Sequence, residues 1–281
     1  MRILVTGANG YLGVGIVKEL LEKGCQVIAA DRCTDEVDVR AERVDCDLFD
    51  IAEPYEYFKR PDAVLHLAWR DGFKHQSDNH LLDLPNHYIF LENMIRNGIS
   101  KVAVMGSMHE VGFHEGMIDE DTPANPMSLY GISKNALRQS VELLQKEIPF
   151  ILQWIRGFYI VANTERGCSI FSKIVQAEKN GDAEFPFTKG TNKYDFISYE
   201  EFCRQVAHVV CQNEIKGIIN CCSGYAVPLR DEVEAFIKKN NFKIRLNYGA
   251  FPDRAYDSKE VWGNVDKINK IMRMQQGEDQ A

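Results

Sequence analysis

Short apolar runs alternate with amphipathic stretches through the first half of the chain. The runs are apolar over nearly their whole length, which is typical of strands buried on both faces of a parallel sheet. They read RILVTG, QVIAAD, AVLHLA at 63–68, KVAVMG at 101–106 and FILQWIRGF at 150–158. Leu12, Ile16 and Leu20 form one apolar stripe between the first two runs, which predicts a helix from about Leu12 to Glu22. The alternation therefore predicts an α/β fold with a Rossmann-like, doubly wound parallel sheet.

The pattern is less regular after Phe158. It predicts a helix at Ile170–Lys179, a strand at 217–222 and a helix at about Leu229–Lys239. No internal repeat or low-complexity linker separates these elements from the first half. We therefore expect the second half to contribute a cap that is interleaved with the sheet.

This pattern divides the chain into two parts whose segments alternate along the sequence. Residues 1–160 are expected to form the Rossmann-like domain, to which residues 194–222 return. Residues 161–193 and 223–281 are expected to form a small C-terminal cap. A chain of 281 residues is long enough to bury a full hydrophobic core in such an arrangement.

Composition and charge narrow the range of partners. The formal net charge is −8 and no basic block interrupts the acidic background, which argues against nucleic-acid and anionic-membrane partners. No apolar stretch approaches the roughly 20 residues that a membrane-spanning helix needs, and the first apolar run begins at Ile3 without a signal-type leader. These features predict a cytoplasmic protein. The eight cysteines include no C-x-x-C pair, so no metal site is predicted.

A glycine-rich turn joins the first predicted strand to the first predicted helix. Gly7, Gly10 and Gly13 have the spacing G-x-x-G-x-x-G, which differs from the common G-x-G-x-x-G. Glycines at such a junction permit a tight turn and let a pyrophosphate approach the backbone, while the helix N-terminus offers N–H groups to the phosphates. The alternative is a plain turn without a ligand.

The second predicted strand ends in Asp31, 18 residues after Gly13. A carboxylate at this position can accept hydrogen bonds from both ribose hydroxyls of an adenosine and repels a 2′-phosphate, which favours NAD(H). The neighbouring Arg32 could bind a 2′-phosphate, so NADP(H) stays open as the alternative.

The segment YGISK at 130–134 supplies a candidate catalytic pair. Tyr130 and Lys134 are i,i+4 neighbours and share one face of a predicted helix. An ammonium group beside a phenol is expected to lower the pKa of the phenol, and such a tyrosine can transfer the proton of a carbinol while a nicotinamide carries the hydride. Ser107 follows the strand KVAVMG, where it could hydrogen-bond a substrate oxygen.

Together these motifs resemble the extended (atypical) short-chain dehydrogenase/reductase family, of the NAD-dependent epimerase/dehydratase type that mostly acts on nucleotide-activated sugars. The resemblance covers most of the chain. It includes TGANGYLG at 6–13, Asp31, DCDLFD at 45–50, HLAW at 66–69, Ser107, Tyr130 with Lys134, YDFISYEEF at 194–202 and NCCSGYAVPLRDEVEAF at 220–236.

The resemblance implies roles for particular residues. Asp47 and Leu48 would lie against the adenine, Lys134 would bind the cofactor ribose, and the cap would bind the substrate. The implied cofactor-binding set is Gly7, Gly10, Tyr11, Leu12, Gly13, Asp31, Arg32, Asp47, Leu48, Leu67, Ala68, Tyr130 and Lys134. The implied substrate-binding set is Trp69, Ser107, His109, Tyr159 and Arg254.

Several positions depart from the family pattern. His109 stands where the family's dehydratases carry an acid and its fucose-synthetase branch a cysteine, so it is either a substitute proton shuttle or a residue that lines the substrate. Tyr194 replaces an arginine that can contact a sugar nucleotide's diphosphate, and Tyr159 replaces a frequent asparagine. Arg254 could supply the diphosphate contact or could be a solvated surface residue.

The chain is short for this family and has a small cap, as do the family's 4-keto-sugar reductases. The expected function is reduction of a nucleotide-linked 4-keto-6-deoxy sugar, with Ser107, Tyr130 and Lys134 as catalytic residues and His109 as a further candidate. The alternatives are an epimerase that holds NAD tightly, a dehydratase, and a non-catalytic NAD(P)-sensing protein. A homodimer through the helices near 84–97 and 129–146 is also expected.

Overall fold

A computed structural model describes residues 1–167, 169–252 and 258–274. The strands are β1 (Arg2–Thr6), β2 (Gln26–Asp31), β3 (Glu42–Asp45), β4 (Ala63–His66), β5 (Lys101–Ser107), β6 (Gly116–Ile118), β7 (Ile151–Gly157), β8 (Tyr159–Val161), β9 (Glu184–Phe187), β10 (Lys193–Tyr194), β11 (Phe196–Ser198), β12 (Gly217–Cys221), β13 (Val227–Pro228), β14 (Arg245–Tyr248) and β15 (Glu260–Gly263). The helices are α1 (Gly13–Glu22), α2 (Pro54–Tyr57), α3 (Asn79–Arg96), α4 (Leu129–Glu147), α5 (Ile170–Asn180), α6 (Tyr199–Val210), α7 (Leu229–Lys239) and α8 (Asp266–Met274). Two short 3-10 turns span Leu48–Asp50 and Met108–Glu110.

The main sheet has seven strands in the order β12-β7-β5-β4-β1-β2-β3. All of its neighbouring strands pair in parallel. The strand order reverses direction between β1 and β4, and ligands of such folds bind at the carboxyl ends of the strands beside that reversal. The predicted Rossmann-like, doubly wound sheet is therefore confirmed.

Helices cover both faces of the sheet, which explains why its strands are apolar throughout. On one face, α1, α6 and α8 contribute Ile16, Phe202 and Ile268 to the core. On the other face, α3 and α4 contribute Phe90 and Leu137. The predicted helix at Leu12–Glu22 is present as α1 and begins one residue later, because Leu12 occupies the N-cap position.

The cap has its own core of buried side chains, which includes Phe171, Val233 and Phe236. A four-stranded sheet in the order β13-β10-β15-β6 and the pair β14-β9 complete this part. Two elements lie across the boundary expected from the sequence. Strand β6, from the first 160 residues, joins the cap sheet, while α8, from the expected cap segment, packs under the main sheet beside α6.

Asp195 links the cap to the main sheet through hydrogen bonds. Its carboxylate is fully buried and accepts hydrogen bonds from the backbone amides of Ser223 at 2.8 Å, Gly224 at 2.9 Å and Gly263 at 3.1 Å. Because one side chain joins three segments that are distant in sequence, the cap is held in a defined position over the carboxyl edge of the sheet.

Candidate active site

The glycine turn admits no larger side chains at its two critical positions. Gly7 has a φ of +68°, and a Cβ there would lie 2.7 Å from the backbone nitrogen of Ala68. A Cβ on Gly13 would collide with the carbonyl oxygens of Gly7 and Ala8. The amide of Gly10 donates to the Gly7 carbonyl oxygen at 3.1 Å and closes the turn. The predicted spacing therefore forms a tight strand–turn–helix junction.

The N-terminus of α1 is suited to an anion. In the part of the chain that the structure describes, no side chain caps this helix and no acidic residue lies in its first turn. No carboxylate of the first turn therefore competes with a phosphate for this end of the helix, although the amide of Val14 donates to the carbonyl oxygen of Gly10 at 3.4 Å. The Tyr199 hydroxyl donates to the carbonyl oxygen of Tyr11 at 2.7 Å and accepts from the amide of Gly15 at 3.1 Å, which steadies the turn from the side of α6.

The predicted adenosine-binding residues lie together at the ends of β2 and β3. Asp31 accepts hydrogen bonds from the backbone amides of Asn9 at 2.9 Å and Arg32 at 2.8 Å. The Arg32 side chain is 70% exposed and its Nε lies 3.8 Å from Oδ2 of Asp47. Asp47 also caps the 3-10 turn that begins at Leu48. The guanidinium that could bind a 2′-phosphate is thus directed toward a carboxylate.

The segment after β4 lies against the glycine turn. The amide of Leu67 donates to the carbonyl oxygen of Thr6 at 3.1 Å, and the amide of Ala68 donates to the hydroxyl of Thr6 at 3.4 Å. Both residues therefore belong to the same strand edge as Gly7. Trp69 continues from this edge toward the catalytic pair.

Ser107, Tyr130 and Lys134 meet where β5 ends and α4 begins. The hydroxyls of Tyr130 and Ser107 share a hydrogen bond, and the amide of His109 donates to Oγ of Ser107 at 3.2 Å. Lys134 is buried, and its Nζ donates to the carbonyl oxygen of Met105 at 2.7 Å. The three residues that the sequence predicts as catalytic are therefore brought together.

Burial has the largest effect on the pKa values of this pair. Burial raises the pKa of Tyr130, and the hydrogen bond from Ser107 opposes that rise. Burial lowers the pKa of Lys134 to about 7, while the carboxylate of Glu110 acts in the opposite direction. Nζ of Lys134 lies 3.8 Å from the ring centroid of Trp69 and 5.9 Å from that of Tyr130. That the Lys134 ammonium lowers the pKa of Tyr130 stays a prediction.

Aromatic and imidazole rings surround Tyr130 and form a chamber, which we define by Trp69, His75, His80 and His109. The His75 ring stacks on Tyr130 with centroids 5.2 Å apart and planes inclined by 10°. The His80 ring lies 5.3 Å from Tyr130, and the His109 ring lies 4.3 Å from His75. The amide of Tyr130 also donates to the carbonyl oxygen of His75 at 2.9 Å, so the loop before α3 is fastened to the start of α4.

Two buried histidines support the chamber from below. Nδ1 of His66 lies 2.9 Å from Oγ1 of Thr6, and its Nε2 lies 2.9 Å from Nδ1 of His87. Burial lowers the pKa of His66 to about 3 and also lowers that of His87. Both rings are therefore neutral at neutral pH. Trp69 stacks on His87 at a centroid distance of 4.3 Å, which holds the indole face under Nζ of Lys134.

The remaining predicted substrate residues continue from the chamber toward the cap. Burial lowers the pKa of His109 to about 3, with His75 acting in the same direction, so His109 is neutral at neutral pH. The Tyr159 ring lies 6.5 Å from His109 and 4.7 Å from Tyr194. The two tyrosines that depart from the family pattern therefore contact each other. Arg254 lies outside the described residues.

Sequence reasoning missed three residues of this site. His75 and Glu110 lie in irregular segments, and only the folded chain brings them to Tyr130 and Ser107. Tyr199 follows Ser198 in the segment YDFISYEEF, but nothing in that segment indicates that its hydroxyl reaches the glycine turn. Two local signals were present: His75 lies in a loop after a strand end, where ligands bind, and the spacing Ser107-x-x-Glu110 is typical of a capping box.

Residues 1–167, 169–252 and 258–274 contain neither a membrane-spanning helix nor a metal site. None of the helices in the described ranges is long and apolar enough to cross a bilayer. The same residues contain no group of three or more His, Cys, Asp or Glu side chains arranged to hold a metal ion.

Comparisons with known proteins agree with the geometry. A model of the NAD dependent epimerase/dehydratase family matches residues 3–222. The dTDP-6-deoxy-L-talose 4-dehydrogenase (NAD(+)) of Aggregatibacter actinomycetemcomitans is 40% identical over 269 residues, which cover 94% of this chain and 99% of that protein. A putative UDP-glucose 4-epimerase of Methanocaldococcus jannaschii is 25% identical over 237 residues, or 79% of this chain and 77% of that protein.

Solved structures share the fold at low sequence identity. The UDP-N-acetylglucosamine 4-epimerase of Methanobrevibacter ruminantium superposes with a TM-score of 0.84 at 19% identity over 96% of this chain and 91% of its own. The dTDP-glucose 4,6-dehydratase of Streptomyces venezuelae superposes with a TM-score of 0.81 at 18% identity over 96% of this chain and 90% of its own. The glycine turn, the Ser107–Tyr130–Lys134 arrangement and the family match over most of the chain lead to one conclusion: the protein belongs to the NAD-dependent epimerase/dehydratase family.

Proposed function

We propose that the protein is an NAD-dependent oxidoreductase that interconverts the C4 carbonyl and hydroxyl groups of a nucleotide-linked 6-deoxy sugar and acts as a 4-keto reductase. The observation that carries this proposal is the likeness, over nearly the whole of both chains, to a protein named as a dTDP-6-deoxy-L-talose 4-dehydrogenase. Oxidation of a C4 hydroxyl is the reverse of reduction of a C4 ketone, so that name and the expected reaction describe the same chemistry.

The residues at the strand edge fit a dinucleotide. The turn at Gly7 and Gly13 lets a pyrophosphate approach the backbone, and the first amides of α1 would bind its oxygens. Asp31 would accept the adenosine ribose hydroxyls. When bound, the nicotinamide accepts or supplies the hydride. We propose a preference for NAD(H) over NADP(H), because a 2′-phosphate would meet the carboxylates of Asp31 and Asp47, and Arg32 already faces Asp47.

Tyr130 would move the proton. In the reducing direction the hydride adds to C4 of the sugar, and the Tyr130 hydroxyl gives its proton to the oxygen that becomes the new hydroxyl. A raised pKa keeps this phenol protonated at neutral pH, which suits the reducing direction. Ser107 would hydrogen-bond the same oxygen. Lys134 would bind the cofactor ribose, and its ammonium would support negative charge on Tyr130 in the oxidising direction.

His109 would line the substrate. A dehydratase needs an acid at this position to protonate a leaving hydroxyl, whereas the pKa of His109 is lowered to about 3 and its ring is neutral at neutral pH. This observation supports a reductase over a dehydratase. Tyr159 and Trp69 would contribute further contacts with the sugar.

Turnover with a defined sugar nucleotide tests the proposal. The purified protein is incubated with NADH and the C4-keto derivative of dTDP-6-deoxy-L-talose, and the loss of NADH absorbance is followed. We expect NADH oxidation, with NADPH used about tenfold less efficiently or worse because of charge repulsion. Interconversion of sugar epimers without net NADH oxidation would support the epimerase instead. Binding of NADH with no turnover of any sugar nucleotide would support the NAD(P)-sensing alternative.

We also propose a cytoplasmic homodimer that forms through the outer faces of α3 and α4. These faces expose several large apolar side chains, namely Leu82, Ile89, Ile132 and Leu143, and an isologous interface would cover them. Sedimentation at micromolar concentration should give the mass of two chains. A monomer under those conditions would contradict this part of the proposal.

A further inference from the structure

A fully buried acid lies directly behind the catalytic serine. Glu110 ends the short turn Met108–Glu110 and has no exposed surface. Its Oε1 accepts a hydrogen bond from the backbone amide of Ser107 at 2.6 Å. The indole N–H of Trp154 donates to its two carboxylate oxygens at 2.9 and 3.0 Å. The hydrogen bond from the Ser107 amide, together with the backbone hydrogen bond that Oγ of Ser107 accepts from the same turn, forms a capping box at the end of β5.

Two guanidinium groups accompany this acid. Nη2 of Arg156 lies 3.8 Å and Nε of Arg138 lies 3.9 Å from Oε2 of Glu110. Nη1 of Arg156 donates to the carbonyl oxygen of Asp119 at 2.9 Å, and Nη1 of Arg138 donates to Glu142 at 2.7 Å. A buried ionic group of this kind adds little net stability compared with an apolar replacement. Stability alone therefore gives a weak reason for its presence.

The turn around Glu110 is packed without spare volume. A Cβ on Gly106 would lie 2.6 Å from Oε1 of Glu110 and would collide with the indole nitrogen of Trp154. On the other side, a Cβ on Gly131 would collide with the carbonyl oxygen of His109. The acid is therefore held rigidly between the end of β5 and the first turn of α4, which carries Tyr130.

We propose that Glu110 is a positioning residue of the reaction: its carboxylate fixes Ser107 toward Tyr130 and places one negative charge behind the Tyr130–Lys134 pair. This inference rests on the proposed function, because it assigns roles within the same site. Glu110 touches neither the substrate nor the cofactor in this assignment, and it acts through Ser107, Tyr130 and Lys134.

The charge of Glu110 affects both members of the pair in the same direction. It raises the pKa of Tyr130 and the pKa of Lys134, because a nearby negative charge favours their protonated forms. Burial raises the pKa of Glu110 itself, and its hydrogen bonds and two arginines oppose that rise. The charged and titratable groups around Glu110 are Arg156 on β7, Arg138, Tyr130 and Lys134 on α4, and His109 in its own turn.

Removal of this charge should shift the pH–rate profile of the oxidation reaction in one defined direction. Turnover in this reaction requires Tyr130 to lose its proton and Lys134 to keep its proton, so the pKa values of these two groups set the two limbs of the pH–rate profile. Without the negative charge both pKa values fall. Both limbs should therefore move to lower pH, whereas a purely structural defect would lower the rate at every pH and leave the midpoints in place.

The test compares Glu110→Gln with the wild type in the oxidation of dTDP-6-deoxy-L-talose by NAD. We expect kcat to fall about tenfold, with KM for the sugar changed less than about threefold. Oε1 of the glutamine could still accept from the amide of Ser107, but its NH2 group would replace the oxygen that faces the indole N–H of Trp154 and the guanidinium groups of Arg156 and Arg138. Both midpoints should shift down by about one pH unit. Glu142→Gln is the matched control, because Glu142 binds the same Arg138 but lies away from Ser107; its profile should coincide with that of the wild type.

A second variant keeps the inference testable if Glu110→Gln does not fold. Glu110→Asp keeps the charge but shortens the reach to Ser107, so kcat should fall while both midpoints stay within about 0.3 pH units of the wild type. Circular dichroism and NADH binding establish that each variant is folded. Unchanged midpoints in folded Glu110→Gln, or wild-type kcat in Glu110→Asp, would overturn the inference. A wild type that turns over no sugar nucleotide would instead overturn the proposed function.

Discussion

The glycine turn and the chamber around Tyr130 lie at the same edge of the sheet but are built from different parts of the chain. The turn is made of backbone, and its shape depends on Gly7 and Gly13, where a Cβ has no room. The chamber is made of side chains from the loop before α3, the end of β5 and the start of α4. In the proposed function, the turn binds the phosphates of the cofactor, while the chamber determines which reaction follows.

The largest expected effect is the loss of turnover when the Tyr130 hydroxyl is removed, because this change affects the chamber and leaves the glycine turn intact. Tyr130→Phe keeps the ring and its stacking on His75 but removes the proton donor. We expect kcat to fall by about 10² to 10⁴, with NADH affinity changed less than about threefold. Steady-state kinetics and NADH titration on the same preparation measure both quantities. Near-normal turnover in this variant would show that Tyr130 does not transfer the proton.

The next effect tests the turn with a matched pair of glycines. Gly7 and Gly24 have similar positive φ values of +68° and +75°, but a Cβ on Gly24 would have no neighbour within 4 Å. Gly24→Ala should lower the free energy of unfolding by about 1 kcal/mol through backbone strain alone. Gly7→Ala should cost more and weaken NADH binding at least about tenfold. Equal losses of stability with unchanged NADH affinity in both variants would contradict the role assigned to the turn.

The two regions also differ in how far they were predictable from the sequence. Gly7, Gly13 and Asp31 are close along the chain, so their spacing was sufficient to predict a dinucleotide turn. The Tyr130–Lys134 spacing predicted a shared helix face, but not that Nζ of Lys134 would bind Met105 and face Trp69. The direction of the Lys134 side chain depends on burial and tertiary packing.

The remaining features depended on contacts between segments that are distant along the chain. His75 reaches Tyr130 because the backbone of one loop hydrogen-bonds the first turn of a later helix. Glu110 is recognisable only once Trp154 and Arg156 converge on it. Helix α8 comes from the segment expected to form the cap, but it packs beside α6 because its apolar side chains complete the core under the main sheet. No local pattern distinguishes that partner from the cap.

An effect of intermediate size is the loss of folding stability at acidic pH, which we expect from the two buried histidines beneath the chamber. The folded pKa of His66 is lowered from its ordinary value of 6.5 to about 3 by burial, so the unfolded state binds more protons between these values. Stability should therefore be fully present above pH 6.5 and should fall as the pH drops toward 3, by about 1.4 kcal/mol per pH unit for each such histidine. Urea unfolding at pH 7 and pH 5 measures the fall.

The matched variant is His87→Phe, which removes one of the two buried imidazoles. Its stability should decline less steeply between pH 7 and pH 5 than that of the wild type, whatever its stability at pH 7. An equally steep decline would show that His87 contributes nothing to the acid sensitivity.

The smallest expected effect concerns the ring that stacks on Tyr130. His75→Phe keeps an aromatic face in contact with the phenol but removes both nitrogens, so kcat should change by less than about tenfold. His75→Ala removes the stack as well and should lower kcat further. If the two variants behave identically, the stacking contributes nothing and only the imidazole nitrogens matter.

Direct detection of hydride transfer to the sugar tests the central claim. The wild type is incubated with NADH that carries deuterium at both hydrogen positions of the nicotinamide C4, together with the C4-keto derivative of dTDP-6-deoxy-L-talose, and the product is analysed by mass spectrometry and NMR. The account predicts one deuterium, located at C4 of the sugar, for each NADH oxidised. A product that carries no deuterium at C4, or epimerised sugar without consumption of NADH, would contradict it.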